Sequence, residues 1–321
     1  VELFNDVKTI SLGKRTRNGI GTHFRWDNVD IQYNVLYVVG YVDGKAVAED
    51  YIVMDNLPAS PNFNKLYKNV KNETKPQQGY NYLYRVNCGG GDFVDENGNQ
   101  WMADVHKKGN NTWGSLSWTD DFGNLPNFLG SQRRTKDPIE GTTDWGLFET
   151  FRIGRDRLKY QFPVSDGEYL VELYFIEPWW GTDRSMDCEG YRIFDVAING
   201  ETVLQDLDVW KEAGHDRLLK KTVKVHVKDG LLEVSFPRIT AGQALISAIA
   251  IASADTSAKP APASISLLSN VKGGEHKHWA DTGADFNKLY PILYGAEWIK
   301  PANFRWRYLS ESGYWFCEEK L

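Results

Sequence analysis

Apolar and polar residues alternate over short distances along this chain. Segments of about four to eight residues rich in Val, Ile, Tyr and Phe are separated by Gly, Asn and Asp clusters, which is the period-2 pattern of β-strands. No stretch keeps a helical period beyond about two turns. The chain is therefore expected to be all-β and built of sandwiches. Near the start, Phe24-Arg25-Trp26, Val35 to Tyr41 and Ala46 to Met54 read as strands, and Asp43-Gly44 between the last two is a hairpin turn signal. In the centre, Leu170, Glu172 and Tyr174 should point to one face of a strand, and Val171, Leu173 and Phe175 to the other.

The same pattern divides the chain. Residues 1–59 read as the C-terminal part of an immunoglobulin-like sandwich, since a whole one takes roughly 100 residues. Residues 60–83 form a less hydrophobic linker and 84–254 a main domain of jelly-roll size. Residues 255–264 are an extended Ala/Pro linker, and 265–321 a small or incomplete C-terminal module. Val1 opens directly into a strand-like run without an initiator Met or a signal peptide, so the chain reads as a processed product or a fragment.

Composition narrows the function. The formal net charge is −6, from 37 Lys+Arg against 43 Asp+Glu, with no basic run, which argues against nucleic acid or an anionic membrane as partner. No apolar stretch approaches the roughly 20 residues of a membrane-spanning helix. Cys88, Cys188 and Cys317 are too far apart for a zinc site; one bridge plus a thiol, or three thiols, are both open. His276-x-His278 has the spacing of a metal pair but lacks a set of further ligands, so scattered surface histidines are expected and no metal or cofactor. Gly89-Gly90-Gly91 is followed by neither Lys-Ser/Thr nor a helix; it reads as a tight turn rather than a phosphate loop.

Twelve Trp is the unusual count. Pro178 ends the central strand, and Trp179-Trp180 follow it into a Gly/Asp loop, where large rings face water unless a ligand covers them. Sugars, with apolar C–H faces and a rim of hydroxyls, suit such platforms. Trp145 and Trp210 sit in hydrophobic context and are expected in the core.

Several segments, taken in order, resemble the malectin family of carbohydrate-binding domains: Val86-Asn87-Cys88-Gly89-Gly90, Gly98 to Asp104 around Trp101, Tyr160 to Val164, Tyr169 to Glu177, and Phe194 to Gly200. The resemblance covers the main domain and implies a β-sandwich whose loops hold a short oligosaccharide. It places sugar contacts at Trp101, at Trp179 and Trp180, and near Trp113 or Trp118, each of which either touches sugar or anchors its loop; Glu177, beside the Trp pair, could accept sugar hydroxyl protons or cap a turn. The family's acidic residue before the last strand falls on Ala241-Gly242-Gln243, a departure that bears on which sugar is bound.

Asp144 to Arg152, Glu172 to Trp180 and Gly242 to Ile251 also look like the malectin module in the C-terminal half of large bacterial glycoside hydrolase family 2 enzymes, of β-galactosidase type. Gly40 to Lys45 is similar to the last hairpin of the immunoglobulin-like domain preceding such modules, and Leu293 to Ile299 to a segment following them. A catalytic barrel of about 250 residues does not fit beside the malectin-like domain. The resemblance implies a non-catalytic, carbohydrate-binding accessory region, periplasmic or extracellular, partnered by oligo- or polysaccharide and by the catalytic domains of a parent glycosidase. A freestanding hydrolase using Glu172 and Glu177, or Asp206 and Asp208, and a structural spacer with buried Trp are the alternatives.

Overall fold

The computed structural model describes residues 1–54, 57–107, 112–117, 131–135, 137–155, 157–181 and 186–261, together with the backbone of two strands at 304–309 and 314–319. The chain forms two compact units, one of residues 1–71 with 136–143, the other of 72–135 with 144–321.

The first unit carries one antiparallel sheet of β1 (Glu2–Asn5), β2 (Ile10–Lys14), β3 (Val35–Val42) and β4 (Lys45–Val53), in the order β2-β1-β3-β4. Val35, Tyr37 and Val39 alternate into its interior. Asp43 and Gly44, at φ 50° and 76°, make the two-residue turn between β3 and β4. The Asp6 carboxylate organises the unit's loops: it accepts bonds from the Ser60 and Thr9 hydroxyls, the Asn62 side-chain amide and, at 3.0 Å, the Asn62 N–H. Burial opposes its ionisation, but these donors prevail and hold the carboxyl well below the usual range.

The expected strand at Phe24-Arg25-Trp26 is not formed; residues 22–28 lie outside any ladder. One side chain takes a bond that a neighbouring strand would make, and an indole ties the segment down. Arg15 Nε donates to the Arg25 carbonyl at 3.2 Å, and the Trp26 indole N–H to the Gly13 carbonyl at 2.9 Å.

The second unit is a double-sheet sandwich. One sheet comprises β5 (Asn81–Asn87), β6 (Phe93–Val94), β7 (Gln100–Ala103), β12 (Gly167–Phe175), β15 (Leu219–Val227) and β19 (Ala248–Ser253), ordered β15-β12-β19-β5-β7-β6. The facing sheet orders β14 (Glu201–Leu207), β13 (Ile193–Ile198), β16 (Leu231–Ser235), β11 (Lys159–Pro163) and β8 (Gly114–Leu116), with β17 (Ile239–Ala241) on β13. A smaller sheet joins β18 (Ala244–Ile246), β10 (Thr150–Gly154) and β9 (Gln132–Arg134). Among the described residues, helix is confined to short turns, chiefly α1 (Trp145–Phe148) and α2 (Val209–Ala213). Farther on, β20 (Phe304–Leu309) and β21 (Tyr314–Glu319) pair antiparallel. His276, His278 and the rest of 262–303 lie outside the described residues.

Alternation in β12 builds the core. Val171, Leu173 and Phe175 meet Phe162, Phe194, Val196 and Val234 between the sheets; full burial of such side chains contributes about 1.5–3 kcal/mol each. The opposite face is covered too. Tyr174 packs against Phe148 and, at 5.6 Å and 82°, against Trp101. Glu172 there accepts bonds from Tyr82 at 3.2 Å, Tyr174 at 2.9 Å and Lys220 at 2.9 Å. Burial, with the Glu172 carboxylate beside it, pushes the Tyr82 hydroxyl up to about 12.

Candidate carbohydrate site

At the end of β12 the chain leaves the sheet through Ile176-Glu177-Pro178, and two Trp follow. Glu177 is fully buried, with nearly all of its bonding capacity taken by protein. Its Oε1 accepts the backbone N–H of Trp179 at 3.1 Å and of Trp180 at 3.2 Å. Arg192, itself 2% exposed, forks onto both carboxylate oxygens through Nε and NH2 and spends NH1 on the Gln243 carbonyl at 2.7 Å. A bidentate pair in a low-dielectric interior is both strong and directional. It ties three distant pieces of chain together: the turn after β12, the start of β13, and the turn before β18.

The rings on this frame are exposed. Trp179 is 40%, Trp180 37% and Tyr191 44% accessible. The Arg192 guanidinium lies 5.2 Å from the Trp179 ring centre, and Phe151 meets the same ring edge-on at 5.6 Å. Trp180 meets Tyr191 at 5.3 Å with the ring planes 80° apart. Behind them, Gly181 at φ 83° lets the Trp210 indole close in, since a Cβ there would stand 2.2 Å from Nε1. Asp208, which caps α2 through the Lys211 N–H at 2.9 Å, also takes the Gly190 N–H at 2.6 Å and so holds the turn leading to Tyr191.

This geometry places three of the expected sugar contacts in the interior, overturning the reading of Trp101 and deciding between the alternatives for Trp113 and Glu177. Trp101 and Trp113 are each 1% exposed and offer no ring face to a ligand. The Trp101 indole donates to Asp95 at 2.8 Å beneath the Asp95–Asn99 turn, and Trp113 stacks on Phe162 in the core. Gly- and Asn-rich flanks mark a turn but do not say to which side its ring points. Glu177 caps a turn and cannot accept from a sugar hydroxyl, because Arg192 and two N–H groups enclose it. Trp118 lies outside the described residues. Trp145 is buried as expected, whereas Trp210 is half-buried under the loop of the Trp pair. Tyr191 and Arg192 emerge only in three dimensions; the one local signal is a charge directly before the apolar pair Ile193-Phe194.

A second buried ion pair lies in the same domain. Arg152 Nε donates to Asp104 Oδ2 at 2.6 Å, its NH1 to Ser131 Oγ at 2.5 Å and its NH2 to Ser115 Oγ at 3.0 Å. Asp104 further accepts from the Gly89 N–H at 2.7 Å and the Tyr160 hydroxyl at 2.9 Å. Burial and then the Asp104 charge raise the Tyr160 hydroxyl and the neighbouring Cys88 thiol well above their usual ranges, so both stay neutral.

A double-sheet β-sandwich with exposed aromatics on an anchored loop defines a lectin-like class of domain. Residues 82–257, more than half of the chain, match the profile of the malectin domain, and the chain belongs to that family. Malectin-B of Xenopus laevis is 27% identical over 153 residues, covering 47% of this chain and 48% of that protein. Human malectin is 26% identical over 153 residues, covering 47% and 45%. The chain thus spans about half the length of these curated relatives. Among solved structures, a β-glucuronidase of Bacteroides uniformis aligns with a TM-score of 0.42 and 24% identity, over 78% of this chain and 25% of that enzyme.

Proposed function

We propose that this chain is a non-catalytic carbohydrate-binding accessory region of a bacterial family 2 glycoside hydrolase acting on β-glycosides, and that the Trp179–Trp180 loop contacts the sugar. The observation that carries the reading is the pairing of exposure with rigidity: both rings face solvent while their backbone is fixed by a buried carboxylate. A loop that ordered itself only on binding would lose affinity to that ordering, a cost that the Glu177 bonds to the Trp179 and Trp180 N–H groups reduce. Pyranose C–H faces supply the apolar area such rings lack in water. The sequence reading of residues 1–59 as an immunoglobulin-like segment, placed before the malectin domain, supports the family 2 assignment. The engagement of Glu172 and Glu177 in buried bonds supports a non-catalytic role, since a glycosidase pair must reach the scissile bond. A periplasmic or extracellular location follows from the same reading and is checked by fractionating the source cells.

The test is binding of the purified chain to neutral glycans by calorimetry, with an aryl-β-glycoside assay alongside. Trp180→Ala should weaken glycan binding by about 1–3 kcal/mol and leave the melting temperature within about 2 °C. Hydrolysis should stay at background. An unchanged affinity, or an early melt with unchanged affinity, makes the pair packing and the domain a spacer.

A further inference from the structure

Tyr191 stands beside Trp180 on a separate stretch of chain, and named contacts hold its backbone. Its N–H donates to the Cys188 carbonyl at 3.2 Å. The preceding Gly190 is held by Asp208, and the following Arg192 is locked to Glu177. Gly242 lies so close that a Cβ there would stand 2.9 Å from the Tyr191 carbonyl oxygen. The phenol is therefore presented on backbone fixed from three sides, yet is 44% exposed. One buried pair sets both rings: Glu177 takes the Trp180 N–H, and Arg192 is the residue after Tyr191.

Two rings 5.3 Å apart and nearly perpendicular cannot form one flat platform. They leave a re-entrant corner, in which a single pyranose can lay a C–H face on one ring and an edge against the other. A flat strip suits the side of a long glucan, whereas a corner encloses one residue on two sides and stops the chain from running across it. The turn bearing Tyr191 also carries Asp187, exposed, which can accept hydroxyl protons and repel acidic sugars, and Glu189, whose charge Lys211 pairs at 2.5 Å. We infer that Tyr191 is a second wall of the sugar site, and that the Trp180–Tyr191 corner selects the end residue of a neutral oligosaccharide over the interior of a polymer.

This inference rests on the carbohydrate-binding reading above, so the test separates the two. Wild type, Trp180→Ala, Tyr191→Ala and Tyr191→Phe are titrated with cellobiose, laminaribiose and maltose and with the hexasaccharide of each linkage. Tyr191→Ala should lose about tenfold or more in affinity, and Tyr191→Phe, which keeps the ring, less than about threefold. The hexasaccharide should bind no more than about threefold tighter than its disaccharide, because only one end enters the corner. Reducing the hexasaccharide to its alditol separates the two ends: an unchanged affinity assigns the non-reducing end and a lost one the reducing end, and each keeps the corner. Should Tyr191→Ala bind as wild type while Trp180→Ala does not, the corner is wrong and the Trp site stands. Affinity that climbs steadily with chain length also overturns end recognition. A wild-type chain that binds none of the probes overturns both readings.

Discussion

Among the described residues, the malectin domain contains two buried Arg–carboxylate pairs of similar chemistry and unlike use. Around Arg152–Asp104 the partners are buried serines, a buried tyrosine and the partly buried backbone of the Gly-rich turn; the side chains named here that it fixes are interior. Around Arg192–Glu177 the fixed groups are the backbones of residues whose rings face water. The first pair closes the sandwich, and the second holds out a surface. Ion pairing alone therefore does not mark a site. What marks it is whether the restrained neighbours are inside or outside.

Breaking each pair should expose the difference. Arg152→Met leaves Asp104 charged and buried, at a cost of about 3–5 kcal/mol, so the domain should melt early or fail to fold. Arg192→Met strands Glu177 in the same way, but also frees Trp179, Trp180 and the turn before β18. Measured on the folded fraction, glycan affinity should survive in the Arg152 variant and fall at least about tenfold in the Arg192 variant. Equal losses of affinity in the two would remove the distinction between them.

Asp6, in the other unit, sharpens the comparison because hydrogen-bond donors rather than a cation stabilise its charge. Its carboxyl is depressed below the usual aspartate value of about 3.9, so its contribution is complete above about pH 4 and is lost as pH falls through the folded value. Asp6→Ala should cost about 2–3 kcal/mol at pH 7, from donors left buried without an acceptor. Hydrogen exchange of the β1 and β3 amides reads it: the wild type should lose protection below about pH 4, and the variant should be weak throughout with a flatter acid slope.

Much of this architecture is legible in the amino-acid order. The alternation of Leu170 to Phe175 places each side chain on the face it occupies, and Asp43-Gly44 marks its hairpin, because both signals are local. The Trp179–Trp180 loop is legible as well, since Pro178 forbids the ladder to continue. What escapes is long-range. Glu177 meets Arg192 across 15 residues and Asp104 meets Arg152 across 48, and no spacing rule joins them. Phe24-Arg25-Trp26 has strand composition, but the Arg15 side chain takes the Arg25 carbonyl and the Trp26 indole bonds Gly13. Trp101 and Trp180 both follow turn residues, and only packing decides that one ring goes in and the other out.

The smallest expected effect tests that last contrast. Trp101→Phe keeps an aromatic ring against Tyr174 and removes the indole N–H that Asp95 accepts at 2.8 Å. Asp95 is also held by the N–H groups of Asn97 and Asn99, each at 2.9 Å, so its carboxylate stays satisfied. The loss is then one hydrogen bond and a small void, about 1–2 kcal/mol, seen as a shift of a few degrees in melting temperature. Glycan affinity should not change, because this ring has no face open to solvent. The same substitution at Trp180 should act in reverse, with the melting temperature constant and affinity reduced, since a smaller ring offers less area to a pyranose. If Trp101→Phe lowered affinity at constant stability, the Asp95–Asn99 turn would have to open when sugar binds, and the ring now counted as interior would belong to the site.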